Sequence, residues 1–282
     1  MELGDREESE NVEDRRGLGV KGGVAIGGVG TIIVVLVCLA LGVDPQQFLG
    51  GGGGAPGGGQ PAQVADPQEN DLAHFTKVVF GDTERVWDEQ FHKMGKVYKK
   101  PTLVLFSGQV ESACGLADAA VGPFYCPGDQ HVYIDLSFYR DMERKLGAKG
   151  DFARAYVVAH EVGHHVQHLL GYSTKPDSRH PDDTENERSV RLELQADYLA
   201  GVWAHHGEEK YHFLDPGDIE SAINAAHQIG DDWLQQQARG RVMPEKFTHG
   251  TSKQRMKWFQ QGFKTGDVDG AKALFGLPYN KL

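Results

Sequence analysis

The sequence predicts a helix-rich α+β domain with a small antiparallel sheet, preceded by one transmembrane helix. Three observations carry that expectation. Residues 22–43 form a 22-residue stretch without a charged group, and about 20 helical residues span a bilayer core. Beyond residue 66, apolar residues recur at helical spacing in six segments. Between them, two short runs read as strands, at 102–107 and 131–137. The second alternates cleanly through Val132, Ile134 and Leu136.

Residues 1–21 read as an acidic cytoplasmic tail. Met1–Asp14 has almost no large apolar group, a composition that cannot bury a core, so disorder is expected there. Arg15, Arg16 and Lys21 stand before the uncharged stretch, and no cation follows it until Lys77. The positive-inside rule then holds the tail in the cytoplasm and sends the rest outside. That describes a single-pass inner-membrane protein with an extracytoplasmic domain. A cleaved signal peptide ending near Ala40-Leu-Gly42 is the rival reading. Gly23 and Gly27 have the GxxxG spacing through which two such helices could pair into a homo-oligomer. Residues 44–65 are Gly, Pro and Gln-rich and read as a flexible linker.

Residues 66–282 form the expected catalytic domain. Helices are expected at 68–98, 138–146, 151–170, 187–206, 216–238 and 251–263. Asp151 suits an N-cap, and Gly171 a C-terminal stop. The chain of 282 residues has a net charge of -11, which argues against nucleic acid, whose phosphates it would repel. Cys114 and Cys126 lie in the loop between the two strands. Two thiols fall short of the four ligands of a structural zinc site. In an oxidising compartment they could close a disulfide worth about 2–3 kcal/mol, and two free thiols remain the alternative. Cys38, inside the apolar stretch, reads as inert.

The chemistry is concentrated in the expected helix 151–170. His160-Glu161-Val162-Gly163-His164 places two imidazoles four residues apart, one helical turn above each other, where both can reach one metal ion. Glu161 follows the first histidine, placed to act on water beside the metal without ligating it. Zinc needs a third protein ligand and an open fourth position. Arg191-Leu-Glu-Leu-Gln-Ala-Asp197 supplies the candidate. Glu193 would complete a two-histidine, one-glutamate set, and Asp197, one turn on, could fix a ligand imidazole by accepting from its far nitrogen. His165 points off the shared face, and His168 lies about 12 Å along the axis from His160. Both read as ordinary helix residues. The acidic loop 177–187 lacks calcium-ligand spacing and reads as a solvated loop.

These motifs resemble the neutral zinc metallopeptidases of bacteria. The resemblance rests on His160–His164, Glu-Leu-Gln-Ala-Asp197, Ser112-Ala-Cys-Gly115, Gly122-Pro-Phe-Tyr-Cys-Pro127, Ile229-Gly-Asp-Asp232 and Phe247-Thr-His-Gly-Thr-Ser-Lys-Gln-Arg255. It covers essentially the whole chain. It implies a zincin-like domain, a Zn2+ cofactor and a peptide or protein substrate. More distantly, the pairing with Glu-x-x-Ala-Asp is similar to gluzincins that include the membrane CAAX-processing endopeptidases. Their later histidine-arginine segment helps bind substrate, and Thr248-His249 with Arg255 looks like its counterpart, with Gly250 where proline is usual. His227 is the rival for that task.

The implied mechanism has zinc on His160, His164 and Glu193, Glu161 as the base, and His249 or another donor helping zinc at the oxyanion. Asp197 and Arg255 stand behind the ligands. The strand 131–137 is the expected edge along which substrate backbone would pair. Two other functions fit the same residues: a membrane-anchored zinc module with a structural or partner-binding role, and zinc hydrolysis of a non-peptide acyl or amide bond. Too many polar residues on the metal helix exclude an intramembrane protease.

Overall fold

A computed structural model describes residues 1, 3–17, 67–172, 180–239 and 242–282. In chain order the elements are β1 (Val12–Asp14), α1 (Pro67–Lys93), β2 (Thr102–Phe106), β3 (Gln109–Ser112), β4 (Gly115–Asp118), β5 (Phe124–Cys126) and β6 (His131–Asp135). The helices α2 (Ser137–Leu146), α3 (Asp151–Leu170), α4 (Glu185–Tyr211), α5 (Asp218–Gln228), α6 (Asp231–Arg239) and α7 (Ser252–Thr265) follow, with short 3-10 turns near the C-terminus.

The main sheet has the order β1-β2-β6-β5. β1 and β2 run parallel, as do β2 and β6, and only β5 pairs antiparallel to β6. The expected antiparallel sheet is therefore mixed and mainly parallel. Leu103, Val104, Leu105 and Phe106 are all buried, so β2 is covered on both faces, which is the environment of parallel strands. Strand 131–137 is corrected too. It is interior, with β2 on one side and β5 on the other, and cannot take up a further strand. A separate hairpin, β3–β4, leads into β5, and a disulfide between Cys114 and Cys126 (S–S 2.00 Å) ties its turn to that edge.

The N-terminal tail overturns the expected topology. The stretch 22–43, the linker 44–65, and Gly23 and Gly27 lie outside the described residues. Among the described residues, no helix is long and apolar enough to cross a membrane. Residues 1 and 3–16 pack on the same domain as α1 and β2, whereas disorder was expected over Met1–Asp14. Val12–Asp14 pair with Leu103–Leu105, and Ser9 N–H donates to Lys77 O at 3.1 Å. Arg6 meets Asp82 at 2.8 Å, and Ser9 Oγ and Asn11 Nδ2 donate to Glu84 Oε1 at 3.0 and 2.8 Å. The Met1 ammonium lies 2.8 Å from Asp215 and 2.9 Å from Asp218. One bilayer crossing between residues 17 and 67 would put these partners on opposite sides. The single-pass anchor does not survive, and the extracytoplasmic placement that was argued from it loses its support.

The helical layer is built around α4. Thr184 and Glu187 form a reciprocal capping box that starts it, two residues before the expected start at 187. The expected helix 216–238 is two helices, broken at Ile229-Gly230. Trp203 of α4 stacks on Phe152 of α3, with 5.9 Å between centroids, inside a core that also takes in Phe213 and Trp87. Helices α4 and α7 touch backbone to backbone. A Cβ on Gly262 would come 1.9 Å from Tyr198 O, and one on Gly201 2.1 Å from Phe259 O. That contact sets α7 close enough for Arg255 to reach the site.

Candidate metal centre

Helix α3 carries His160, Glu161 and His164, and α4 carries Glu193 and Asp197. The helices meet at Gly163, where an added Cβ would stand 2.9 Å from Ala196 O. The unnamed position of the His-Glu-x-x-His pattern thus lets the second helix approach. His160 Nε2 lies 3.2 Å from Glu193 Oε2, and His164 Nε2 lies 3.4 Å from Glu193 Oε1. One ligand atom from each of the three residues falls within 4.8 Å of the other two.

The other ring nitrogens are held in place. His160 Nδ1 donates to Asp197 Oδ1 at 2.9 Å, and His164 Nδ1 donates to Gln167 Oε1 at 2.9 Å. Gln167 is oriented in turn by donating to Leu192 O and Gln195 Oε1. These bonds fix both tautomers and leave each Nε2 as an acceptor facing a carboxylate. Acceptors facing acceptors need a cation between them, and imidazole with carboxylate is a zinc donor set. The residues therefore fit the metal.

Asp197 is the hub behind the ligands. It is fully buried and accepts from Tyr156 Oη at 2.5 Å, from Arg255 Nε at 2.8 Å and from Arg255 Nη2 at 2.9 Å, besides His160. Burial alone would raise its pKa, but the charges of Arg255 and His160 outweigh burial and hold it at about 2. Burial likewise works against a charged His160, yet Asp197 and Glu193 lift its pKa to about 9. Glu193 is held well below the usual carboxylate range, with His164 and His160 overcoming its burial. Without metal, a proton on His160 supplies the cation between these groups, and zinc would take its place.

Glu161 is buried, at 8% exposure. Among the described residues its carboxylate has no ion-pair or hydrogen-bond partner. His249 stands near enough to Glu193 for their charges to couple. Its loop is organised by Asp231, which accepts from the N–H groups of Thr248, His249 and Gly250 at 2.7, 2.6 and 3.0 Å. The same carboxylate lies 3.2 Å from His249 Nδ1. Burial would lower the His249 pKa, but Asp231 and Glu193 raise it above the ordinary value.

The structure keeps other candidates out. His227 lies against Trp233, 5.2 Å between centroids. His165 is fully buried, 3.0 Å from Tyr125 Oη and 2.6 Å from Lys99 O. His168 faces Tyr125 at 6.3 Å. The roles of Tyr156, Gln167 and Asp231 escaped the sequence reading, although Asp231 falls within the Ile229-Gly-Asp-Asp232 motif. Tyr156 lies one turn before His160 and Gln167 just under one turn after His164, which was the available signal. Asp231 acts on residues 17–19 positions later, which no local pattern shows.

Two histidines and a glutamate from neighbouring helices, with a second glutamate beside the first histidine, define a zinc-dependent hydrolase. The chain belongs to the family described as "Putative neutral zinc metallopeptidase", whose profile matches residues 1–274, and its cofactor is zinc. It is 50% identical over 276 residues to "Uncharacterized protein YpfJ" of Escherichia coli strain K12, covering 93% of this chain and 94% of that one. It is 45% identical over 180 residues to "Uncharacterized protein Rv2575" of Mycobacterium tuberculosis strain H37Rv, covering 60% of this chain and 61% of that one. No solved structure matches it.

Proposed function

We propose that the protein hydrolyses peptide bonds, with His160, His164 and Glu193 holding zinc and Glu161 serving as base. The observation that carries this reading is Glu161 itself: a buried carboxylate with no partner among the described residues, next in the chain to a proposed ligand. A purely structural zinc site has no use for it. When bound, zinc supplies a Lewis acid that polarises the scissile carbonyl and brings the pKa of water to about 7. Glu161 accepts the proton of the attacking water at its carboxylate and returns it to the leaving amine. His249, steered by Asp231 through Nδ1, can donate from Nε2 to the developing oxyanion when its ring is protonated. Tyr156, Asp197 and Arg255 hold His160 at one orientation. Because β6 is interior, backbone pairing of substrate falls to an edge strand, and β5 is the edge whose Tyr125 touches α3.

The test uses the full chain, since β1 is part of the sheet. Zinc per chain is measured by elemental analysis, and cleavage of a random peptide library is compared with that of Glu161→Gln. The expected result is one zinc at this centre in both proteins and cleavage only in the unaltered one. Equal cleavage by both would remove Glu161 from the chemistry. Zinc at this centre with no cleavage by either would sink the peptidase reading.

A further inference from the structure

We infer that a second divalent transition-metal site lies at the C-terminal end of α4, formed by His205, His206 and Glu209. These residues are remote from the catalytic set. Glu193 and His205 are 12 positions apart on one helix, about 18 Å along its axis. His205 Nε2 lies 3.5 Å from Glu209 Oε1, and His206 Nδ1 lies 3.1 Å from Glu209 Oε2. One ligand atom from each residue falls within 4.8 Å of the other two. Tetrahedral zinc, with bonds of about 2.0–2.1 Å to nitrogen and oxygen, sets its ligand atoms about 3.3 Å apart, so small rotamer adjustments suffice.

The two imidazoles are committed in the manner of ligands. His205 Nδ1 donates to Phe263 O at 2.8 Å, and His206 Nε2 donates to Gly266 O at 2.8 Å. Backbone carbonyls at those positions fix opposite tautomers in the two rings. Each remaining nitrogen is an acceptor, and each faces an oxygen of the same carboxylate. One divalent ion satisfies all three groups. The competing arrangement is a proton on each ring, which makes two weak surface ion pairs and binds no metal.

The position gives the ion a structural task. Phe263 and Gly266 belong to the end of α7, so a metal here would clamp that end onto α4. Glu209 is 63% exposed, which leaves a coordination position open to water and makes this the weaker of the two zinc sites.

The test separates the sites. In full-length His160→Ala/His164→Ala protein, zinc alone is titrated against a chromophoric chelator, with bound metal counted per chain. One zinc is expected, together with a rise in melting temperature on binding. Adding Glu209→Gln, an exposed change that leaves the fold in place, is expected to weaken that zinc at least about tenfold, since support around a ligand alone is worth 10–100-fold. Adding His205→Ala/His206→Ala is expected to abolish it. No zinc in the His160→Ala/His164→Ala background, or zinc indifferent to Glu209→Gln, overturns the inference. Failure of the catalytic centre instead would read differently: unaltered protein would bind one zinc, sensitive to His206→Ala and indifferent to His160→Ala.

Discussion

Replacing Asp197 by Asn probes the hub that joins the metal centre to α7. Asp197 Oδ1 accepts from Tyr156, His160 and Arg255, and Oδ2 accepts from Arg255 Nε at 2.8 Å. An asparagine that keeps its oxygen at the three-donor position must turn its NH2 toward Arg255 Nε, donor against donor. The reverse rotamer opposes the NH2 to three donors. Either way at least one charge-assisted bond is lost, worth about 1.5–3 kcal/mol. The Arg255 guanidinium, 2% exposed, also loses its nearest counter-charge. Breaking one side of a buried pair costs about 3–5 kcal/mol, and we expect that loss in urea unfolding of the zinc-free protein. Zinc affinity, read by chelator competition, should fall about 10–100-fold as His160 loses its anchor. Glu193→Gln is the comparison: it should weaken zinc without a comparable stability loss. Stability within about 1 kcal/mol of the unaltered protein, with zinc affinity unchanged, would refute the claim that Asp197 organises the centre.

Three more outcomes are expected. Gly163→Ala forces a carbon to 2.9 Å from Ala196 O, so α3 and α4 must separate; stability should drop about 1–3 kcal/mol and zinc affinity with it, and an unchanged affinity would show that the spacing does not depend on this contact. Burial lowers the His165 pKa to about 4, against about 6.5 unfolded, so the folded state binds fewer protons in that window. Stability from the neutral ring is complete above about pH 6.5 and is lost as pH falls to 4, by about 3 kcal/mol; urea unfolding of His165→Gln should show a correspondingly shallower dependence, and parallel curves would contradict it. Deleting residues 1–16 removes Arg6 from the buried Asp82 and uncovers β2, at a cost of about 2–5 kcal/mol in urea midpoints, whereas an equal midpoint would make the tail dispensable.

The clustering of the candidate metal ligands was legible because helical spacing is a local property. Four-residue separations in His160–His164 and Glu193–Asp197 state which side chains share a face, whatever the rest of the fold does. The tail was misread for the opposite reason. Composition counts the charges of this tail but is silent on their partners, and Asp82, Glu84, Asp215 and Asp218 lie 75 to 217 residues away. The alternation of Val132, Ile134 and Leu136 revealed a strand, yet period two reports faces and carries no information on edges, so the interior position of β6 was invisible. Parallel pairing was hidden similarly, since a run buried on both faces loses its alternation. His205, His206 and Glu209 were passed over because one helical turn of polar residues near a helix end resembles any solvated surface.

The pairing of β1 with β2 has a consequence for how the chain matures. Val12 leaves the ribosome first, but its partner Leu103 is made about ninety residues later, roughly 5–20 s at ordinary rates of synthesis. Within the sheet, β5 and β6 are joined by a short connection and β2 lies about thirty positions before β6, so these close their loops at lower entropic cost. β1 is therefore expected to join a sheet already assembled, as the last strand to seat. Substitutions in Val12–Asp14 should then accelerate unfolding far more than they slow refolding, and a segment synthesised well before its partner becomes the latch that determines how long the folded molecule lasts.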